Sequence, residues 1–232
     1  MSGEVLSLAR LRRPALLAFD VNETLLSLDP LRQRFEEIFG ADPPLGEWFA
    51  RLLHGSLIAN ALDQHRPFGE IGAEALVTLA IRRGVELSPE EARSALALMA
   101  ELPPHPDVVP AVERLATAGI RMIALTNGGS LVAEAQITNA GLAEHVGPVI
   151  SVDEVGRFKP DSAVYQHAAR RTGVPIGEMA LVAAHDWDCA GAMAAGAQAV
   201  LVQRPGVRWG LPSDPPEVVV GDLEELADLL GV

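Results

Sequence analysis

The apolar positions of the chain follow two different rhythms. From 15 to 19 they run unbroken (Ala15, Leu16, Leu17, Ala18, Phe19) and stop at an acid, Asp20. A short continuous run of this kind fits a strand buried on both faces. From about 27 to 102 the spacing turns helical. Asp29 and Pro30 read as an N-cap followed by proline at the first helical position, and Leu31, Phe35, Ile38 and Phe39 carry that helix to about Gly40. Pro43 and Pro44 break it. Trp48, Phe49, Leu52, Leu53, Leu57 and Ile58 then form the stripe of a second helix, with Arg51, His54 and Asn60 as its polar insertions. Two further helical patterns cover 70–83 and 89–102, the latter opened by a capping box of Ser88 and Glu91.

Pro103, Pro104 and Pro106 predict a semi-rigid linker, beyond which helices alternate with short apolar strands. The predicted order is helix 107–118, strand 121–125, helix 131–140, strand 149–152, helix 162–172, strand 179–184, helix 188–195, strand 199–203 and a last helix from Leu223. Five strands joined by helices imply a parallel sheet in a three-layer, Rossmann-like α/β fold. The expected organisation is an α/β core of 14–26 and 105–232, with a helical cap domain, 27–104, inserted after strand one and overhanging that strand's C-terminal end.

Composition narrows the function classes. With 232 residues, 49% of them apolar, the chain has material for a sizeable core and is not a disordered segment. A formal charge of −13 argues against a nucleic-acid partner, whose phosphates need clustered Lys and Arg. A small anionic substrate would therefore need locally placed cations. Arg10, Arg12 and Arg13 precede the first apolar run as in a signal peptide, but Asp20 interrupts that run too early. No apolar stretch is long enough to span a bilayer, so no membrane partner is expected. The single cysteine, Cys189, excludes an intrachain disulfide framework, and the expected location is the cytoplasm.

Candidate chemistry sits at four strand ends, where ligands of open parallel sheets bind. Asp20, followed by Val21, Asn22, Glu23, Thr24 and Leu25, is a nucleophile, a metal ligand or a strand-end cap. The second strand ends in Thr126, Asn127, Gly128 and Gly129, a hydroxyl, an amide and two flexible NH groups suited to an anion, although such a string is most often an ordinary turn. The third segment runs from Ser151, Val152 and Asp153 to Lys159, Pro160 and Asp161, with Tyr165 beyond. A lysine before proline is usually a solvated loop residue, but one aimed at Asp20 would keep its carboxylate ionised. The fourth holds Ala183, Ala184, His185, Asp186, Trp187 and Asp188, a carboxylate-rich helix start in which either acid also reads as an N-cap.

In this order, each at a strand end, the four segments resemble the motifs of the haloacid dehalogenase superfamily. The resemblance spans about 16–230 and is narrowest to the type II 2-haloacid dehalogenases. It rests on Asn22-Glu23-Thr24-Leu25 after the first acid, on Ser151-Val152-Asp153 leading to Lys159-Pro160-Asp161 and Tyr165, and on Trp187-Asp188 before Gly191-Ala192. It implies that Asp20 displaces halide from the α-carbon of a short, haloacetate-like 2-haloacid to form an ester on its own carboxylate. Water then releases the 2-hydroxy acid. By the same resemblance Thr126 and Asn127 bind the substrate carboxylate, Lys159 holds Asp20 ionised, and Asp188 orients Lys159 or the water. Tyr165, which orients the site, completes the substrate-binding set with Asn22, Trp48 and Arg51.

Phosphatases of the superfamily place a second Asp two residues after the nucleophile and hold magnesium with an acidic pair in the fourth motif. Here the first position is Asn22, which cannot shuttle a proton. Ala183 or Ala184 replaces one acid of the pair, leaving Asp186 and Asp188 to help Asp20 hold a divalent ion. A site without metal or other cofactor is therefore expected. A magnesium-dependent small-molecule phosphatase is the alternative, and a non-catalytic ligand-binding member of the fold the second. Two departures from the family pattern stand out. Ala183 and His185 replace Ser and Asn, so a neutral His185, with an ordinary pKa of about 6.5, is expected to take the water's proton. Phe49 rather than the halide-binding arginine follows Trp48, which leaves Arg51, His54, Asn60 or an aromatic edge to receive halide. A homodimer is one option for assembly.

Overall fold

The structure, a computed structural model, describes residues 12–232, so Arg10 lies outside the described residues. Strands β1 (Leu16–Phe19), β2 (Met122–Thr126), β3 (Val149–Ser151), β4 (Met179–Ala183), β5 (Gln198–Val202) and β6 (Val218–Val220) form one sheet in the order β3-β2-β1-β4-β5-β6. Every pairing is parallel. Parallel strands need crossovers, and right-handed ones place helices on both faces. Those helices are α5 (Val108–Thr117), α6 (Ser130–Asn139), α7 (Ser162–Thr172), α8 (Asp186–Ala194) and α9 (Leu223–Leu229), with α5 packed on α9 and α7 on α8. All four residues of β1 are fully buried, as its unbroken apolar run requires. The strand order reverses at β1 and β4, so the C-terminal ends of β1, β2 and β4 open on the same crevice.

Between β1 and α5 the chain makes α1 (Asp29–Phe39), α2 (Leu45–Ala61), α3 (Phe68–Arg82), α4 (Pro89–Leu96) and a 3-10 turn, Ala97–Glu101. The segment leaves and rejoins the core along one path. Ser27 N donates to Pro103 O at 2.8 Å, His105 N to Leu25 O at 2.9 Å, and Leu26 bridges Pro104 antiparallel. The proline linker is thus hydrogen-bonded to the outgoing segment. Asn60, at the end of α2, fixes the helical segment over the sheet: its amide donates to Phe158 O at 2.7 Å and accepts from Phe158 N at 2.9 Å.

Several expectations need correction. A sixth strand, β6, was not anticipated, because three valines after a proline-rich stretch are too short a run to register, and Val219 is 40% exposed at the sheet edge. Asp29 is the first residue of α1 rather than its cap, and its side chain makes no capping bond. The helix expected over 89–102 divides at Leu96 into α4 and the 3-10 turn, while the Ser88–Glu91 capping box is present. Helix α8 begins at Asp186 with His185 at the N-cap, so neither acid caps it. Among the described residues, no helix is long and apolar enough to cross a membrane.

Candidate active site

Asp20 lies one residue beyond β1, anchored by its amide to Val182 O of β4 at 3.0 Å. Its carboxylate is 6% exposed, and each oxygen has its own donors. Oδ1 receives Lys159 Nζ at 3.0 Å. Oδ2 receives the Thr24 hydroxyl at 2.8 Å and faces His185 Nδ1 at 3.0 Å. Burial alone would raise the Asp20 pKa, but the Lys159 charge and the His185 hydrogen bond outweigh it and hold the group well below the ordinary carboxylate range.

Lys159 is buried with Asp20 and Asp188. Its ammonium donates to Asp188 Oδ2 at 2.8 Å as well as to Asp20, and Tyr165 donates its hydroxyl to Asp188 Oδ1 at 2.6 Å. Burial works against the Lys159 charge, yet the two carboxylates raise its pKa above the ordinary value. Asp188 is pushed upward, chiefly by burial and only partly relieved by Lys159. The lysine's backbone is fixed from β2: Lys159 N donates to Asn127 Oδ1 at 2.9 Å. That bond orients the amide and leaves Asn127 Nδ2 with no protein partner, the one such buried side-chain nitrogen or oxygen among the described residues. Thr126 Oγ1 accepts from Gly128 N at 3.0 Å and braces the same turn.

His185 differs from expectation. Its Nδ1 faces Asp20, and its Nε2 faces Glu23 Oε2 at 3.1 Å. The ring lies between Phe49 and Trp187, stacked at centroid distances of 5.5 and 5.1 Å. Burial opposes the charge, but the hydrogen bonds to Asp20 and Glu23 push the pKa up to about 10. The neutral base expected to take a proton from water is therefore an imidazolium with both nitrogens occupied. Asp20 and Glu23 cause the shift.

Of the other expected site residues, Asn22 and Trp48 line a mostly apolar cavity of about 130 Å³ between α2, α3 and the Gly128–Gly129 turn. Asn22 Oδ1 accepts from Gln136 Nε2 at 3.0 Å, and the Trp48 indole donates to Gly72 O at 2.9 Å. Tyr165, counted among the substrate contacts, is fully buried behind Asp188 and orients that carboxylate instead. Arg51 pairs with Glu47 on its own helix at 3.3 Å, Asn60 is held by the Phe158 backbone, and His54 is exposed. Of the halide candidates, the aromatic one is nearest the site, since Phe49 stacks on His185.

The carboxylates around Asp20 are each engaged by protein donors. The Asp20 carboxylate already faces an ammonium and an imidazolium, Asp188 is shared by Lys159 and Tyr165, and Asp186 accepts from Trp187 N at 2.7 Å and Gly210 N at 3.0 Å. No group of three or more His, Cys, Asp or Glu side chains among the described residues is arranged to hold a metal ion.

The family model for haloacid dehalogenase-like hydrolases matches residues 14–196 of this chain. The chain belongs to that family. It is similar to a (S)-2-haloacid dehalogenase of Pseudomonas putida, 27% identical over 219 residues that cover 92% of this chain and 95% of the relative. It is also similar to (S)-2-haloacid dehalogenase 4A of Burkholderia cepacia, 29% identical over 216 residues, covering 91% and 93%. The fold matches that of L-2-haloacid dehalogenase from Xanthobacter autotrophicus with a TM-score of 0.87 and 22% identity, over 94% of this chain and 98% of that one.

In this haloacid dehalogenase-like hydrolase, sequence reasoning passed over five residues that shape the site. Thr24 and Glu23 belong to the first motif but were not given roles, and Phe49 was read as part of a helix stripe standing where an arginine was expected. Trp187 was read only as part of a motif string. Arg204, 8% exposed, donates to Thr24 O from Nη2 at 2.8 Å and to Asp107 Oδ1 at 2.7 Å, bracing the Thr24 turn. Its signal was weak: an arginine following a strand is ordinarily a surface residue.

Proposed function

We propose that the protein is a 2-haloacid dehalogenase acting on short substrates of the haloacetate and 2-chloropropionate type. The observation that carries this reading is the pairing of a buried, ionised Asp20 with Lys159 while the residue two positions on is Asn22, an amide engaged by Gln136. A carboxylate kept charged out of water is a nucleophile. Without an acid at 22 the site lacks the proton shuttle that phosphoester hydrolysis by this fold uses.

Asp20 attacks the α-carbon, the carbon–halogen bond breaks with its electron pair on the halide, and an Asp20 ester results. Oδ1 is the attacking atom favoured by its surroundings, having one hydrogen bond where Oδ2 has two. The partnerless Asn127 Nδ2 supplies a buried donor for the substrate carboxylate, with Thr126 holding the turn. Lys159 offsets the substrate's negative charge. With His185 unable to act as base, Asp188 takes the proton of the hydrolytic water, and its raised pKa suits that role. The names of the (S)-2-haloacid dehalogenase relatives agree with this reading.

The test is halide release from chloroacetate and (S)-2-chloropropionate beside phosphate release from p-nitrophenyl phosphate, each with and without EDTA. Halide release that survives chelation and disappears in Asp20→Asn is the expected result. Phosphate release that depends on added magnesium would replace the reading with the phosphatase one.

A further inference from the structure

His185 cannot be the base, yet the structure invests heavily in it. Both of its ring nitrogens face carboxylate oxygens, Asp20 Oδ2 at 3.0 Å and Glu23 Oε2 at 3.1 Å. Carboxylates only accept hydrogen bonds, so both nitrogens must carry protons and the ring is cationic. Glu23 reaches it from a left-handed backbone, φ 60°, a conformation that non-glycine residues adopt at a cost. The faces of the ring are covered by Phe49 and Trp187, an arrangement that attracts a cation and sheds water.

The second donor to Asp20 Oδ2 is equally fixed. Ala184 N donates to Thr24 Oγ1 at 2.9 Å, which directs the single hydroxyl proton of Thr24 to Asp20. One oxygen of the nucleophile thus carries two aimed donors, one of them charged, while the other faces Lys159.

We propose that protonated His185, with Thr24, forms an oxyanion hole for hydrolysis of the Asp20 ester. The inference rests on the dehalogenase reading above. Once Oδ1 has been alkylated, Oδ2 is the ester carbonyl oxygen. Water bonds to Cγ of Asp20 and gives its proton to Asp188, and the carbonyl electron pair moves onto Oδ2, where His185 and Thr24 receive it. As the tetrahedral species collapses, the bond from Cγ to the ester oxygen breaks, and the departing 2-hydroxy acid takes the proton from Asp188. Asp20 then releases its carboxyl proton to solvent, so each turnover yields halide and one proton. His185 adds no bond and transfers no proton. It stabilises charge that develops only in this step.

The charged groups around the ring are Asp20 and Glu23 from the loop after β1, Lys159 behind Asp20, and Asp186 and Asp188 on its own helix. Asp29, Arg32, His105 and Arg204 line the adjoining cavity. The two acids in direct contact dominate by distance. The imidazolium therefore persists through neutral pH, consistent with its upward-shifted pKa.

A single-turnover reaction with (S)-2-chloropropionate, quenched at intervals and weighed by intact-protein mass spectrometry, separates alkylation from hydrolysis. His185→Ala is expected to accumulate the Asp20 adduct, with its hydrolysis slowed about 100- to 1000-fold, the usual loss for one oxyanion donor. His185→Asn, which keeps a neutral donor at the position of Nδ1, should recover part of that loss, an effect a purely structural role would not produce. In the wild-type protein, adduct hydrolysis should fall with rising pH as the imidazolium deprotonates, and at a lower pH than the free protein loses that proton, because esterification of Asp20 removes one of the two charges that hold it. That alkaline limb should be missing in His185→Asn. A general base would instead give a loss below about pH 6.5. Unchanged hydrolysis in His185→Ala, or a wild-type acid limb that disappears in His185→Asn, overturns the proposal while leaving the dehalogenase reading in place. Absence of any Asp20 adduct in both the wild-type protein and His185→Ala, with no halide released, overturns both.

Discussion

Out of contact with water, the Lys159 ammonium persists because two carboxylates share it, and each of those carboxylates stays buried because the lysine is there. Removing one partner from such a set leaves uncompensated charge. Lys159→Met should therefore cost about 3–5 kcal/mol of stability and abolish halide release together, read by urea denaturation and a halide assay. The residues of this set were legible in the sequence because each stands at or near a strand end in a distinctive string. Phe49, Trp187, Glu23 and Arg204 were not. Their roles depend on which way a ring or guanidinium points across elements far apart in the chain, and hydrophobic spacing carries no such information. His185 shows the same limit, since its charge state is set by Asp20 together with Glu23, and the motif string does not reveal which way the Glu23 side chain points.

At the scale of elements, periodicity located the four helices between β1 and α5 and the alternating strands, because long amphipathic stripes and buried runs are strong signals. Short edge elements and helix ends escaped, as with β6 and the start of α8. Two contacts between elements lead to predictions. Gly191 on α8 lies where an added Cβ would overlap Pro160 and come within 2.6 Å of the Tyr165 hydroxyl. Gly191→Ala should push the Lys159–Pro160 segment off Asp20, costing about 1–3 kcal/mol and most of the activity. A crystal structure with Lys159 unmoved would contradict this. Asn60, by contrast, ties α2 to the Phe158 backbone through both faces of its amide and touches none of the reacting groups. Asn60→Ala should lower kcat/KM for halide release while costing stability only about 1–2 kcal/mol, and faster amide hydrogen exchange at Phe158 would report the lost tether.

For the molecule as a whole, the buried charges set a window of pH. His185 gains affinity for its proton on folding, so its contribution to stability is complete below pH 6.5 and is lost as pH rises through about 10. Asp20 has the opposite sign: its depressed pKa contributes stability above pH 3.8 that disappears as acid protonates it. Asp188, raised by burial, offsets part of that acid loss. The alkaline limb is therefore the cleaner measurement. Denaturation midpoints should fall between pH 7 and 10 by an amount worth a few kcal/mol, and His185→Asn should flatten that decline. An identical alkaline slope in the variant would show that the imidazolium is not what the slope reports.

The hydrogen-bonded segments at 25–27 and 103–105 have a consequence for how this architecture can change. Because the helical segment departs and returns through two hydrogen-bonded neighbours, its length is invisible to the sheet. Everything between them is, to β1 and α5, one closed excursion, and the entropy of closing a loop rises only slowly as residues are added. The groups carried by the strand ends can thus be inherited while the roof above them is lengthened, trimmed or exchanged, although the Phe49 cover of His185 goes with the roof. Replacements must leave Leu25 and His105 clasped, since that clasp begins one residue after Thr24, and any roof that pries it open shifts the hydroxyl on which Asp20 leans.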